Sequence, residues 1–357
     1  VNRKTLEFSP EAGAVVADRR GTAEQPETVT LGRRKRLSGN LFSRTETWGP
    51  AAMLVLLCLF FTFASDGFLG MGNIQAIVNQ AAVPVVLASG LTLVILMGSI
   101  DMSIEGVIAT VSILSAMLVA NSVNSNHLGW IATVIALAIG TGFGLANGLI
   151  ITKLRLPSLI VTLGMWFVGL GVASFLFPDN QPRVLDEGFR RWALDAPLGF
   201  QRLTYVAVGV VLVIYFVLKW TRLGRTIYAI GAGEPQLVLA GVKVDRYKIA
   251  AFAASGFLAG LAALMTTAQI GGGDAAAGDG RLFPAVSAVV IGGTLLSGGR
   301  GGILQSVVGV FLLAVLENGM MHLGVSVYLQ QAVVGLVVVA VVIVAGWQSR
   351  AVLRVIK

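Results

Sequence analysis

Long apolar stretches almost free of charge recur between residues 49 and 346, and they restrict the chain to a lipid environment. A straight helix needs ~20 apolar residues to cross the hydrocarbon core of a bilayer. Ten segments approach that length: about 49–65, 74–98, 102–121, 128–151, 158–178, 203–220, 249–270, 284–298, 303–321 and 325–346. The eighth is too short to cross straight and is dense in glycine, so at least one span is expected to be broken or re-entrant. Charged residues make up only 12% of the chain, too few to cover a soluble surface. The expected fold is all-α: a polytopic membrane protein of about ten transmembrane helices.

Residues 1–48 are polar and lack apolar periodicity, so they read as a disordered tail ending in the basic run Arg33-Arg34-Lys35-Arg36. No apolar core precedes residue 49, so no cleavable signal peptide is visible. The basic run is expected to hold the N-terminus in the cytoplasm, in contact with anionic membrane lipid. With the tail inside and the spans alternating, the inside loops carry Lys153 and Arg155, then Lys219 through Lys248, then Arg300. Residues 347–357, with Arg350, Arg354 and Lys357, form a cytoplasmic C-terminal tail.

The outside loops are the polar "NSVNSNH", "PDNQPRVLDEGFRRWALDAP" and "GGGDAAAGDGR". This bias orients the chain with both termini inside a cell's inner membrane and accounts for the net charge of +8 without nucleic acid. Cys58 is the only cysteine, so no disulfide framework exists.

Small residues recur every four positions at Ala136, Gly140, Gly144 and Gly148, and again at Gly256 and Gly260. Such faces let helix backbones approach closely, either within one subunit or between two copies. Ionisable residues inside the spans are few. "GSIDMSIEG" places Asp101 and Glu105 on one helical face, and Glu317 lies in "LENGMMHLG". Intramembrane carboxylates suggest function by default. For Asp101 the competing reading is structural or gating, as an N-cap at the start of the third span. His127 and His322 have no second ligand nearby, so no metal site is expected.

The glycine-rich "VVIGGTLLSGGRGG" spaces Gly293 and Gly298 as a phosphate-binding loop would. Gly299 and Arg300 then stand where that motif needs Lys and Ser or Thr, so the phosphate and magnesium contacts are missing. The loop of about 221–248 holds a short helix. Gly233-Glu234-Pro235 reads as its start, Gln236, Leu237, Val238 and Leu239 as its body, and Gly241 as its end. A two-turn helix with apolar residues outside the membrane needs a partner.

Three stretches carry a resemblance to the permease subunits of ribose-type ATP-binding-cassette sugar importers. "GSIDMSIEG" is similar to the family's G-G-I-D-L-S-x-G, and "ANGLIITKLRLPSLIVTLGMWFVGLGVA" to its N-G…P-x-F-I-x-T-L-G segment. The run from "GRTIYAIG" through "ENGMMHLGVSVYLQQAVVGLVVVAVV" resembles its C-terminal half. Two departures stand out: Gln236-Leu237 replace paired alanines, and Glu105 replaces a small residue.

The resemblance implies a coupling helix at Glu234, Pro235, Gln236, Leu237, Leu239 and Gly241 that docks on a separate ATPase subunit, which binds ATP and Mg. This chain then holds no cofactor and is no enzyme. Gly292, Gly293, Gly298 and Gly299 resemble a turn on which a broken span folds back. A second permease subunit, identical or a sister, completes the pathway, and a periplasmic sugar-binding protein docks on 179–202 and 271–283. Polar side chains within spans, Asn79, Gln80, Asn147, Thr162, Trp166 and Asn318, are the candidates for lining the pathway. Two rivals are a proton-coupled secondary carrier working through Asp101, Glu105 or Glu317, and a scaffold subunit without a substrate path.

Overall fold

The computed structural model describes residues 39–337 and 339 apart from 179, with side chains described from residue 49. The basic run, the C-terminal tail and the end of the tenth expected span lie outside the described residues. The order of helices is α1 (Gly39–Ala64), α2 (Met71–Ile95), α3 (Ile104–Leu118), α4 (Trp130–Leu154), α5 (Ser158–Leu176) and α6 (Glu187–Leu194). They are followed by α7 (Arg202–Trp220), α8 (Arg222–Leu239), α9 (Val244–Ile270), α10 (Leu282–Ile291), α11 (Ile303–His322) and α12 (Val327–Val337).

Among the described residues there is no β-strand, only the isolated bridges Asn121↔Val184 and Arg183↔Gly272. Six helices, α2, α4, α5, α7, α9 and α11, are long and apolar enough to cross a membrane. Shorter apolar helices (Gly49–Ala64 within α1, then α3, α10 and α12) stand where the other four spans were expected. The first helix starts ten residues earlier than its apolar run, at Gly39. The eighth expected span is a ten-residue helix followed by a glycine turn, as its short length and glycine content suggested.

Burial separates a centre from a periphery. The apolar windows of α2, α9 and α11 are 78%, 67% and 67% buried inside the protein, whereas that of α5 is 17% buried. All four windows are similarly hydrophobic, so the hydrophobic effect cannot sort them in lipid. Backbone proximity does it instead.

The seam between α4 and α9 shows this. Ala136, Gly140, Gly144 and Gly148 form one buried face of α4, and it lies on Phe252, Gly256 and Gly260 of α9. A Cβ on Gly140 would stand 2.6 Å from the carbonyl oxygen of Gly256, and one on Gly144 would collide with the carbonyl of Phe252. The small-residue face is therefore an intramolecular seam, which decides the choice left open by the sequence.

Replacing Gly144 by Leu is expected to cost roughly 3 kcal/mol or more, since the clash is with backbone and no rotamer relieves it. The same change at Gly142, which has nothing within 4 Å of its would-be Cβ, is expected to be silent. Thermal melts of the two variants in detergent, side by side, check this.

Candidate functional site

Thr221 caps α8 through its hydroxyl, which accepts from Gly224 N at 3.2 Å. The helix is interrupted at Gly233, and its second arm carries Glu234, Pro235, Gln236, Leu237 and Leu239. The sequence placed the start of the short helix correctly but left the upstream arm as loop. Exposed Arg222 and Arg225 hide that arm's buried face, Gly224, Ile227 and Ile230. The second arm ends in a Schellman motif: Val242 N donates to Leu237 O at 3.0 Å and Gly241 N to Val238 O at 3.0 Å, with Gly241 at φ 77°.

Leu237 is half-buried and packs with Val242 against the core. The side chains that point away are Val238 and Leu239, the latter 88% exposed. Of the two leucines expected in the coupling helix, only Leu239 is thus available to a partner. Glu234 pairs with Lys248 of α9 at 2.7 Å and fixes the arm's base.

The first arm of α8 is joined to the membrane helices by glycine contacts. A Cβ on Gly231 would meet Leu96 O, at the end of α2, and the backbone of Gly298 and Gly299. Gly299 N donates to Leu96 O at 2.9 Å, and Tyr228 Oη donates to Gly301 O at 2.9 Å. Gly293, Gly298, Gly299 and Gly301 all have positive φ, and Gly292 closes α10 as its C-cap. The turn 292–302 thus links α10 to α11 while resting on both α2 and α8.

Between α2, α9, α10 and α11 lies a cavity of about 390 Å³. Gln80, Gln269, Arg281 and Glu317 line it nearer the α6 end, and Leu87, Ala288 and Leu313 nearer the α8 end. At the α6 end three loops are stitched together. Ser122 N donates to Arg183 O at 3.1 Å, Val184 N to Gly271 O at 2.9 Å and Gly273 N to Pro182 O at 2.9 Å. Within 179–202, α6 is capped by Asp186, whose carboxylate accepts from Phe189 N at 3.0 Å, and it buries Phe189 and Ala193.

Of the six polar residues expected along a pathway, only Gln80 faces this cavity. Asn79 accepts from Gln201 N and from Thr204 Oγ1, both at 2.9 Å, and so ties α2 to α7. Asn147 donates to Ser103 Oγ at 2.8 Å. Thr162 bonds back to Ser158 O at 2.9 Å. Asn318 and Asn73 exchange two amide bonds of 3.0 Å, and His322 Nε2 lies 3.0 Å from the same Asn73 oxygen. Trp166 lies half-buried, its carbonyl against Gly106 and its buried Nε1 without a partner among the described residues. Gln269 and Arg281, which do line the cavity, went unnoticed in the sequence because each flanks a polar loop.

Asp101 and Glu105 do not share a face. Asp101 lies three residues before α3, so the N-cap expected of it belongs to Ser103. Its carboxylate accepts from Ser103 N (3.0 Å) and Ser103 Oγ (2.6 Å) and, on the other oxygen, from Ser255 Oγ of α9 (2.7 Å). Glu105 turns elsewhere and accepts from Leu282 N at 2.8 Å, at the N-terminus of α10. The two carboxylates are thus bound to donors from different helices and form no relay with each other.

A family described as "Branched-chain amino acid transport system / permease component" matches residues 73–342. The ribose import permease protein RbsC of Escherichia coli (strain K12) is 34% identical over 300 residues, 82% of this chain and 91% of that protein. RbsC of Bacillus subtilis (strain 168) is 33% identical over 298 residues, 83% of this chain and 91% of that protein. The fructose import permease protein FruG of Bifidobacterium longum (strain NCC 2705) is 32% identical over 307 residues, covering 83% and 89%. No solved structure matches the chain. On a match that spans most of its length and on these identities, the chain belongs to this family of transport-system permeases, together with the ribose-type import permeases.

Proposed function

We propose that the chain is the membrane-spanning permease subunit of an ATP-binding-cassette importer that moves a simple sugar or related polyol inward. The sugar class rests on relatives that import ribose, fructose and, at 28% identity, D-allose. Both termini are cytoplasmic in this reading, and the four shorter apolar helices join the six long ones to make about ten spans. Two copies, or this chain with a sister permease, complete the pathway.

The observation that carries the reading is the apolar tip of α8, with Leu239 88% exposed, on a helix whose other arm is packed on the membrane helices. An exposed leucine on a charged cytoplasmic face is a docking contact, and a separate ATPase with its ATP and Mg is the partner. Closure of two ATPases would move the second arm. The Glu234–Lys248 pair and the contacts of Gly231 and Tyr228 would pass that motion to α9, to the end of α2 and to the 292–302 turn. Elements that both ends of the path can bias are what such coupling requires. The stitched loops at the α6 end would receive the periplasmic binding protein.

The proton-carrier alternative is left with Glu317 alone in the cavity, since Asp101 and Glu105 are each engaged by other donors. Uptake is therefore expected to survive an uncoupler while cellular ATP is held up, and to stop when ATP is depleted. Collapse with the uncoupler alone would favour the carrier.

Leu239→Asp is expected to abolish co-purification of the ATPase and leave the melting temperature of the permease unchanged. Leu237→Asp is expected to destabilise the permease itself by roughly 1–3 kcal/mol, because that side chain points inward. Pull-down combined with thermal melts separates the two effects.

A further inference from the structure

Four polar side chains from different parts of the fold meet in the 390 Å³ cavity: Gln80 of α2, Gln269 of α9, Arg281 just before α10 and Glu317 of α11. Gln269, Arg281 and Glu317 are half-buried in an otherwise apolar bundle. Each has few bonds within the chain. Arg281 Nε donates to Ala277 O at 2.7 Å, and Gln269 reaches Gln201 at 3.4 Å. Neither Arg281 nor Glu317 is in an ion pair among the described residues. Half-buried charges without a partner are costly in a membrane and mark a path or a ligand.

We infer that this ring is a selectivity site within the permease, one that hydrogen-bonds a neutral polyhydroxylated substrate on its way through. The inference rests on the importer reading above. Its chemistry follows from the donor inventory. A carboxylate only accepts, a guanidinium only donates, and two carboxamides do both, a mixture that suits neighbouring hydroxyls able to play either part. One positive and one negative group leave the ring without net charge, so a neutral ligand is not penalised.

A zwitterionic amino acid would satisfy Arg281 and Glu317. Its aliphatic side chain would then face Gln80 or Gln269 and leave a carboxamide unpaired. The volume lies within the ~300–1,000 Å³ of small-molecule pockets. Leu87 of α2 is seven residues beyond Gln80, ~10 Å deeper, so an apolar floor lies beneath the ring. A solvated sugar halts there until the helices move.

The test is uptake in cells that lack the native gene and carry wild type, Glu317→Gln, Arg281→Lys or Gln269→Leu, with membrane abundance measured by immunoblot. The labelled probes are D-ribose, D-fructose, D-allose and L-leucine, each sugar paired with a monodeoxy analogue. Wild type is expected to take up at least one sugar and to prefer it to its deoxy analogue. Glu317→Gln should lower that uptake about tenfold or more, as loss of a charged hydrogen bond does. Gln269→Leu should narrow the preference over the deoxy analogue, which a merely structural defect would leave unchanged.

Variants that match wild type in both rate and preference would overturn the inference while leaving the importer reading intact. So would variants slowed equally for a sugar and its deoxy analogue. Wild-type uptake of L-leucine and of no sugar would overturn the sugar reading and the inference with it.

Discussion

The contact on which the mechanical account depends is the meeting of three backbones at Gly231. There α8, the end of α2 and the turn between α10 and α11 come closer than any side chain would permit. Leu96 O receives Gly299 N at 2.9 Å, and Tyr228 spans from α8 to Gly301. Packed backbone deforms little, so a displacement of α8 has to be shared by its neighbours. The glycines that resemble a damaged phosphate loop in the sequence are therefore where α8 is joined to α2, α10 and α11.

The interior of the bundle follows one rule throughout: where lipid gives no hydrophobic drive, helices are joined by absent side chains and by hydrogen bonds. Gly140 and Gly144 bring α4 onto α9, and the Asn73–Asn318 pair joins α2 to α11. Asp101 draws three donors from two segments and holds the break before α3 against α9. Glu105 places a carboxylate at the N-terminus of α10, where its acceptor oxygen and the helix dipole act in the same direction. A ten-residue helix inside a membrane protein needs such a cap, since its first amides have no intrahelical acceptor.

The helical class, the six long apolar helices, the broken eighth segment and the second arm of α8 were legible in the sequence. Each depends on local pattern: apolar run length, glycine density, or Pro235 after Gly233. The partners of individual polar residues were not. Asn79, Asn147 and Asn318 look like pathway residues because an amide in a span is rare, yet whether it faces a cavity or another helix is set by packing against partners 122, 44 and 245 residues away in the chain. Leu237 and Leu239 look alike in sequence and point opposite ways, because the rotation of a short helix is fixed by its end motif and by what lies beneath it. Arg281 escaped notice for a third reason: it follows a polar loop and reads as part of it.

The most direct test of the mechanical account is to measure distances between paired spin labels in a Cys58→Ser background, with the ATPase bound, before and after ATP is added. One pair joins Arg225 of the first arm of α8 to Leu296 of the glycine turn, and the other joins Arg225 to Leu154 at the end of α4; all three side chains are exposed. A rigid junction predicts an unchanged Arg225–Leu296 distance and a shifted Arg225–Leu154 distance. An Arg225–Leu296 distance that changes with ATP while the turn keeps its distance from α4 would mean that α8 swings free of the turn, and the account would be wrong.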